Sequence, residues 1–244
     1  MILRATRLLK TIAILFFDKI DILFHQKRIL SFLKKNKLNI NFFIDVGSHK
    51  GTYTDLIINN FSVKKILMFE PQKNIYQFIK KKYNKKKYIK IFNRAASNDS
   101  STKKIYINKH DLTSSLSPLK ENNLYLKLKA ILFAEDRNRS LIKKIDKIKT
   151  IQIKQILKKI KLKKIDLMKI DTEGHEFEVL RGIDNYLNKV HYLLIEFHLD
   201  KIYFNYNPNK IHNYLIKNNF ILKETLKFPL TNWEDRIYIN KNFK

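Results

Sequence analysis

The stretch Phe43-Ile44-Asp45-Val46-Gly47-Ser48-His49-Lys50-Gly51 decides how this chain is read. Its apolar run ends at a glycine, as a strand buried on both faces does. A turn holding two glycines follows, and Thr52 to Phe61 reads as a helix. Strand, tight turn and helix in this order present free backbone N–H groups at a helix start, where an anionic group is held. The spacing is Gly-x-x-x-Gly and lacks the middle glycine that lets a dinucleotide pyrophosphate approach the backbone. That disfavours NAD and FAD and suits a nucleoside ligand whose anionic group is a carboxylate.

Outward from this stretch, glycine is scarce. The 244 residues contain four, where about 17 would be usual at ~7%. The other two are Gly174 and Gly182, in Lys169-Ile170-Asp171-Thr172-Glu173-Gly174-His175-Glu176 and Leu180-Arg181-Gly182. Glycine persists where backbone must turn tightly or approach another group closely. Both stretches are therefore read as special backbone sites, and both carry acidic residues.

The chain alternates strands and helices from Asn39 onward. Strands are predicted at 42–46, 65–70, 88–92, 165–171 and 190–197, with 104–108 alternating like an edge strand. After Pro71, a helix carries Ile75, Phe78, Ile79 and Tyr83 on one face. Further helices use Phe177, Leu180, Ile183 and Leu187, and residues 209–218. Residues 220–225 and 236–240 read as a terminal antiparallel pair. Residues 119–149 are charged, carry no motif and read as partly helical. This alternation specifies an α/β fold: a doubly wound, mainly parallel sheet with helices on both faces. Such sheets bind ligands beyond the carboxyl ends of their strands. Asp45, Glu70, Asp171 and Glu196 fall at or near four of those ends, a gathering of acid that points to a site.

Composition bounds the rest. The formal net charge is +28 and there is no cysteine. Disulfides and thiolate metal sites are thereby excluded. The charge is carried mostly by lysines, in runs such as Lys80-Lys81-Lys82 and Lys85-Lys86-Lys87, and is read as solvated surface rather than a nucleic-acid footprint. Residues 1–38 form a separate N-terminal amphipathic helical arm before a domain at 39–244. The arm's longest unbroken apolar run, Ile12 to Phe17, cannot cross a bilayer, which needs ~20 residues. Its expected partners are its own domain, a second copy in a homodimer, or an anionic membrane surface. The expected location is cytoplasmic, peripheral to the inner face of the membrane if that surface is used.

Ile44-Asp45-Val46-Gly47 with Gly51, then Phe69-Glu70-Pro71, resembles a class I S-adenosylmethionine-dependent methyltransferase. Later segments appear in order: Asn93 to Asp99, Ser114-Ser115-Leu116, Lys169 to Glu176 with Val179-Leu180-Arg181-Gly182, and Leu194-Ile195-Glu196-Phe197-His198. This set is similar to the FkbM methyltransferase family over residues 40–200. The resemblance implies S-adenosylmethionine as donor and O-methylation of a hydroxyl on a sugar, glycan or small natural product. It implies a donor site with Asp45 at its start, Gly47 and Gly51 beneath the methionine moiety, and Glu70 on the ribose. Asn98 and Asp99 would lie near the adenine, and Asp171 would face the methionine amino group or the acceptor. One departure stands out. Thr150-Ile151-Gln152 has glutamine where the family pattern has an acid.

Methylating a hydroxyl calls for a general base. The catalytic candidates are His198, Glu173 and Asp171, with His198 preferred and Glu173 second. Glu196 and His198 alternate along a strand and so share a face. His175 is expected to face solvent, and Glu176 to be a first-turn carboxylate favoured by the helix dipole. Asp171, Glu173, Glu196 and His198 are also metal-ligand types, but no ligand spacing is fixed, so no metal is assigned. Two other readings are an RNA methyltransferase and a basic membrane- or polyanion-binding module that keeps the fold without turnover.

Overall fold

The computed structural model describes residues 25–108, 114–120, 142–160, 162–200, 202–228 and 232–243. Most of the N-terminal arm, residues 1–24, and much of the 119–149 stretch lie outside these residues. The first described helix is α1, Gln26–Lys35. The core then alternates β1 (Phe42–Val46), α2 (Thr52–Asn60), β2 (Lys65–Phe69), α3 (Lys73–Lys82) and β3 (Ile89–Phe92). A side element follows: β4 (Ala95–Ala96), β5 (Thr102–Asn108), β6 (Ile142–Ile151) and the short α4 (Ile153–Leu157). The chain returns to the sheet with β7 (Ile165–Ile170), α5 (Glu176–Ile183), β8 (Val190–His198), α6 (Pro208–Lys217), β9 (Phe220–Lys227) and β10 (Trp233–Asn240).

The seven-stranded sheet has the order β3-β2-β1-β7-β8-β10-β9. Strands β3, β2, β1, β7 and β8 run parallel, and β10 pairs antiparallel with both β8 and β9. The doubly wound architecture and the antiparallel terminal pair are thus as read from the sequence. The order reverses direction between β1 and β7, which puts a crevice at the carboxyl ends of those strands.

Strand alternation divides the core into two faces. Phe42, Ile44, Val46, Met168, Ile170, Leu193 and Ile195 pack with α4, α5 and α6 through Leu157, Val179, Ile183, Ile211 and Leu215. Phe43, Ile66, Met68, Leu167, Tyr192, Leu194 and Ile237 pack with α1, α2 and α3 through Ile29, Leu33, Ile57 and Ile79. Helix α1 therefore spends its apolar stripe on the sheet rather than on lipid. Among the described residues no helix is long and apolar enough to cross a membrane.

Three details differ from the sequence reading. Phe78 is 53% exposed, because α3 buries Ile75 and Ile79 and the +3 position rolls off that face. Residues 142–149, within the 119–149 stretch expected to be partly helical, belong to strand β6, paired antiparallel with β5 and parallel with β4. Its isoleucines at 142, 145, 148 and 151 recur every three residues, which imitates a helix; Ile145 is 52% exposed. Finally, β5 is an edge strand as expected, but of the separate sheet β4-β6-β5 rather than of the main one.

Candidate active site

The same alternation that sorts the core also sorts the charges. Phe43 and Leu167 face α1–α3, so Asp45 and Lys169, two residues on, face the same way. Tyr192 and Leu194 share that face, so Glu196 and His198 follow them, as does Asp235 after Ile237 in the reverse direction. The register sets Asp45 beside Lys169 and Glu196 beside Asp235. Towards the strand ends, one face of the sheet therefore changes from apolar to ionic.

Lys169 is the cation at the centre. It is buried and donates to Asp171 Oδ2 at 2.8 Å. Its ammonium lies 4.2 Å from the centroid of the Tyr53 ring. Burial alone would depress its pKa, but Asp171 and Asp45 hold it above the ordinary lysine value. Burial would raise Asp171, and Lys169 reverses that, keeping the carboxyl below its usual range. Sequence reasoning quoted Lys169 within a motif and gave it no role. The signal was available: a lysine in a run of buried strand residues must have a partner.

A cavity opens above this network. Its wall includes Val46, Gly47, Phe69, Glu70, Ala95 and Ala96, and on the far side Asp171, Thr172, Glu173 and His175. Gly47 has φ +75°, and a Cβ there would stand 1.7 Å from the carbonyl oxygen of Asp171. Only glycine lets the first turn and the 171–174 loop approach so closely. Glu70 is 3% exposed and joins two loops. Its Oε2 accepts from the backbone N–H of His49 at 3.0 Å, and its Oε1 from that of Gln72 at 2.8 Å. Ile105, Ser114 and Leu116, from β5 and the segment after it, complete the wall.

The 171–176 loop is folded by Glu176. Its Oε1 accepts from Thr172 N–H, Thr172 O–H and Gly174 N–H at 3.0–3.1 Å. Burial raises the Glu176 pKa. Glu173 sits at φ +55° on the cavity wall, and Tyr203 O–H donates to its Oε2. Behind it lies His198, buried, with Nε2 3.5 Å from Glu173 Oε2 and 3.2 Å from Glu196 Oε2. Burial alone would lower the His198 pKa, but the charge of Glu196, with Glu173 and Glu176, raises it to about 10. Glu196 itself is raised by burial and by Asp171. Gly174 (φ +90°) admits the Tyr203 ring, which a Cβ would meet at 2.4 Å.

The structure gathers Glu70, Gly47, Asp171 and Glu173 on one cavity. His198 and Glu196 lie behind Glu173 and outside the cavity wall. Asp45 lies beneath it, fully buried, where its Oδ2 accepts from Thr54 O–H at 2.6 Å and burial raises its pKa. Gly51 precedes α2 and is covered by Tyr83, whose hydroxyl donates to its carbonyl at 2.9 Å. Asn98 and Asp99 turn away from the cavity. Asp99 accepts from Thr150 O–H at 3.1 Å and pairs with Lys103, and the Asn98 carbonyl accepts from Gln152 Nε2 at 2.6 Å. Neither residue lines this cavity, whose wall here is formed by Ala95, Ala96 and Gln72; both brace β6. The same bond gives Gln152 a structural task that an acid, being an acceptor only, would not perform.

His175, expected to face solvent, is buried on the cavity wall with Nε2 3.0 Å from Ser97 Oγ. Burial, then the charge of Lys103, lowers its pKa to about 4. The group is thus held neutral in the fold but protonates near 6.5 when unfolded. Its contribution is complete above about pH 6.5 and is lost as pH falls towards 4, a change on the order of 3 kcal/mol. Urea unfolding at pH 7 and pH 4.5 should show this loss, and His175→Gln should reduce it. An equal loss in both proteins would remove His175 as its source.

The FkbM methyltransferase domain model matches residues 45–222, well over half of the chain. The chain belongs to the FkbM methyltransferase family. Among solved structures, it is similar to methyltransferase FkbM from Methylobacillus flagellatus KT, with a TM-score of 0.52 and 15% identity. That match covers 82% of this chain and 43% of the other, so this FkbM chain spans less than half the length of that relative. TrmK of M. capricolum, solved with S-adenosyl-homocysteine, gives a TM-score of 0.49 at 12% identity, covering 90% of this chain and 68% of that one. An rRNA methylase from Streptococcus thermophilus gives 0.46 at 11%, covering 83% and 89%. At these identities the likeness concerns the fold of the FkbM domain. No curated protein matches the chain.

Proposed function

We propose that this FkbM-family chain is an S-adenosylmethionine-dependent O-methyltransferase acting on a hydroxyl of a sugar, glycan or small natural product. The observation that carries the reading is the cavity at the ends of β1, β2 and β7, whose donor set fits such a donor. Glu70 is a carboxylate held rigidly at the end of β2, suited to accept from the two ribose hydroxyls. Ala95, Ala96, Pro71 and Phe69 offer an apolar wall for a flat base. Asp171 and Glu173 place negative charge opposite them, which favours a cationic ammonium or sulfonium.

When bound, S-adenosylmethionine supplies an electrophilic methyl group. The residues of the chain supply position and proton transfer. Orientation is the larger share, because fixing two reactants in one cavity removes most of their entropic barrier. The remaining task is to take the hydroxyl proton. We assign it to Glu173 rather than His198, because Glu173 forms the wall and His198 lies behind it. His198, with Tyr203, positions that carboxylate.

Calorimetric titration of the purified chain with S-adenosylmethionine tests the reading; absence of binding would overturn it. Glu173→Gln is expected to weaken donor binding only slightly, since Asp171 keeps its charge, and to lower turnover of a sugar acceptor by about 10²–10⁴-fold. Full turnover in that variant would return the assignment to His198 or Asp171.

A further inference from the structure

We infer that Glu173, Glu196 and His198 form a binding site for one divalent transition ion of the Mn2+ or Zn2+ class. One ligand atom from each of the three can be chosen so that all lie within 4.8 Å of one another. His198 Nε2 is 3.5 Å from Glu173 Oε2 and 3.2 Å from Glu196 Oε2. Donors ~2.1 Å from an ion at right-angled to tetrahedral positions are ~3.0–3.4 Å apart, so the two spacings to His198 are close to those of a shared ion, and the two carboxylates lie within 4.8 Å of each other.

A second observation points to a ligand between them. Glu196 Oε2 and His198 Nε2 are buried and face one another at 3.2 Å, and neither makes a well-directed hydrogen bond among the described residues. Buried polar atoms of this kind are normally satisfied, and a cation held also by Glu173 would satisfy both. The surroundings hold the donors in place as outer-shell groups do in metal sites. Tyr203 O–H donates to Glu173 Oε2, and the His198 ring is set edge-on to Tyr203 and Tyr206 at 5.0 and 5.8 Å.

The donor set selects the ion class. One imidazole with two carboxylates suits Mn2+ or Zn2+ better than Mg2+, which prefers oxygen ligands and keeps its waters. Three donors from the protein leave coordination positions for an outside oxygen, and Glu173 faces the cavity. An acceptor hydroxyl taken there would be acidified, and Glu173, holding the ion through one carboxylate oxygen, would take the proton on its other oxygen. That role rests on the methyl-transfer reading; the binding of the ion does not.

The test uses the full chain, freed of metal by chelation and titrated with MnCl2 alone, without donor, and read by electron paramagnetic resonance. About one tightly held Mn2+ per chain is expected, displaced by Zn2+. Glu196→Gln and His198→Ala should each weaken it at least ~100-fold, more than outer-shell changes do. Asp146→Asn, on the exposed part of β6, should leave it unchanged. Because a core variant can fail to fold, native Mn2+-loaded protein is also examined by electron spin echo, where 14N modulation from an imidazole ligand is expected. No tight Mn2+, no nitrogen modulation, or unchanged binding in both folded variants would each overturn the inference. A chain that binds S-adenosylmethionine but not Mn2+ would overturn the ion site alone. One that binds Mn2+ but not the donor would overturn the methyltransferase reading alone.

Discussion

Lys169→Met is expected to lower the free energy of unfolding by about 3–5 kcal/mol, the usual cost of leaving a buried charge without its partner. The ammonium of Lys169 bonds Asp171 and also lies in the field of Asp45 and Asp235. Methionine fills a similar volume, so the loss would be electrostatic rather than a cavity. Asp171 would then lose the charge that keeps its carboxyl low, and the 171–174 loop its tether to β7. Urea unfolding at neutral pH measures the effect. A second change, Asp171→Asn, should restore part of the loss in the double variant. A loss below about 1 kcal/mol, as for an exposed ion pair, would show that Lys169 is not the counter-ion of this face.

The second large effect concerns the donor. Glu70→Ala should weaken S-adenosylmethionine binding by about 10²–10⁴-fold, since hydrogen bonds to a charged group are worth about 1.5–3 kcal/mol and two are proposed. The variant also frees the N–H groups of His49 and Gln72, so the turn after β1 and the turn after β2 would no longer share an anchor. Glu70→Gln separates the two contributions. It can still accept from one loop and one hydroxyl, and an intermediate affinity is expected. Unchanged calorimetric affinity in Glu70→Ala would remove the ribose assignment while leaving the cavity in place.

The sheet was readable because its strands are short apolar runs with turn residues between them, and because Asp45, Glu70 and Asp171 mark their ends. Strand β6 was not, since Ile142, Ile145, Ile148 and Ile151 recur at a helical interval and its pairing with β5 is a long-range fact. Glu196 and His198 could be placed on one face by counting in twos. That Glu173 joins them could not, because its position depends on φ +55° in a loop folded by Glu176. His175 was misread for the same reason: its partner, Ser97, is 78 residues away. Asn98 and Asp99 were placed by motif; that the Asn98 carbonyl and the Asp99 carboxylate are tied to Gln152 and Thr150 of the β6 region could not be read, because β6 itself was not.

The segment covering the cavity is stitched to the loops beneath it. Ser115 O–H donates to the Glu173 carbonyl, and Ser117 O–H to the Gly174 carbonyl at 2.7 Å. Lys120 N–H donates to the Ile202 carbonyl at 2.8 Å, and Phe204 N–H to the Pro118 carbonyl at 3.0 Å. Residues 114–120 and 202–204 are therefore one mechanical part with Glu173 at its centre. If Glu173 is the base, as proposed, acceptor choice and base placement would not be alterable independently in such a device. Transplanting acceptor preference from a relative would require both strips to be exchanged together, with Gly174 kept so that the incoming aromatic ring can seat.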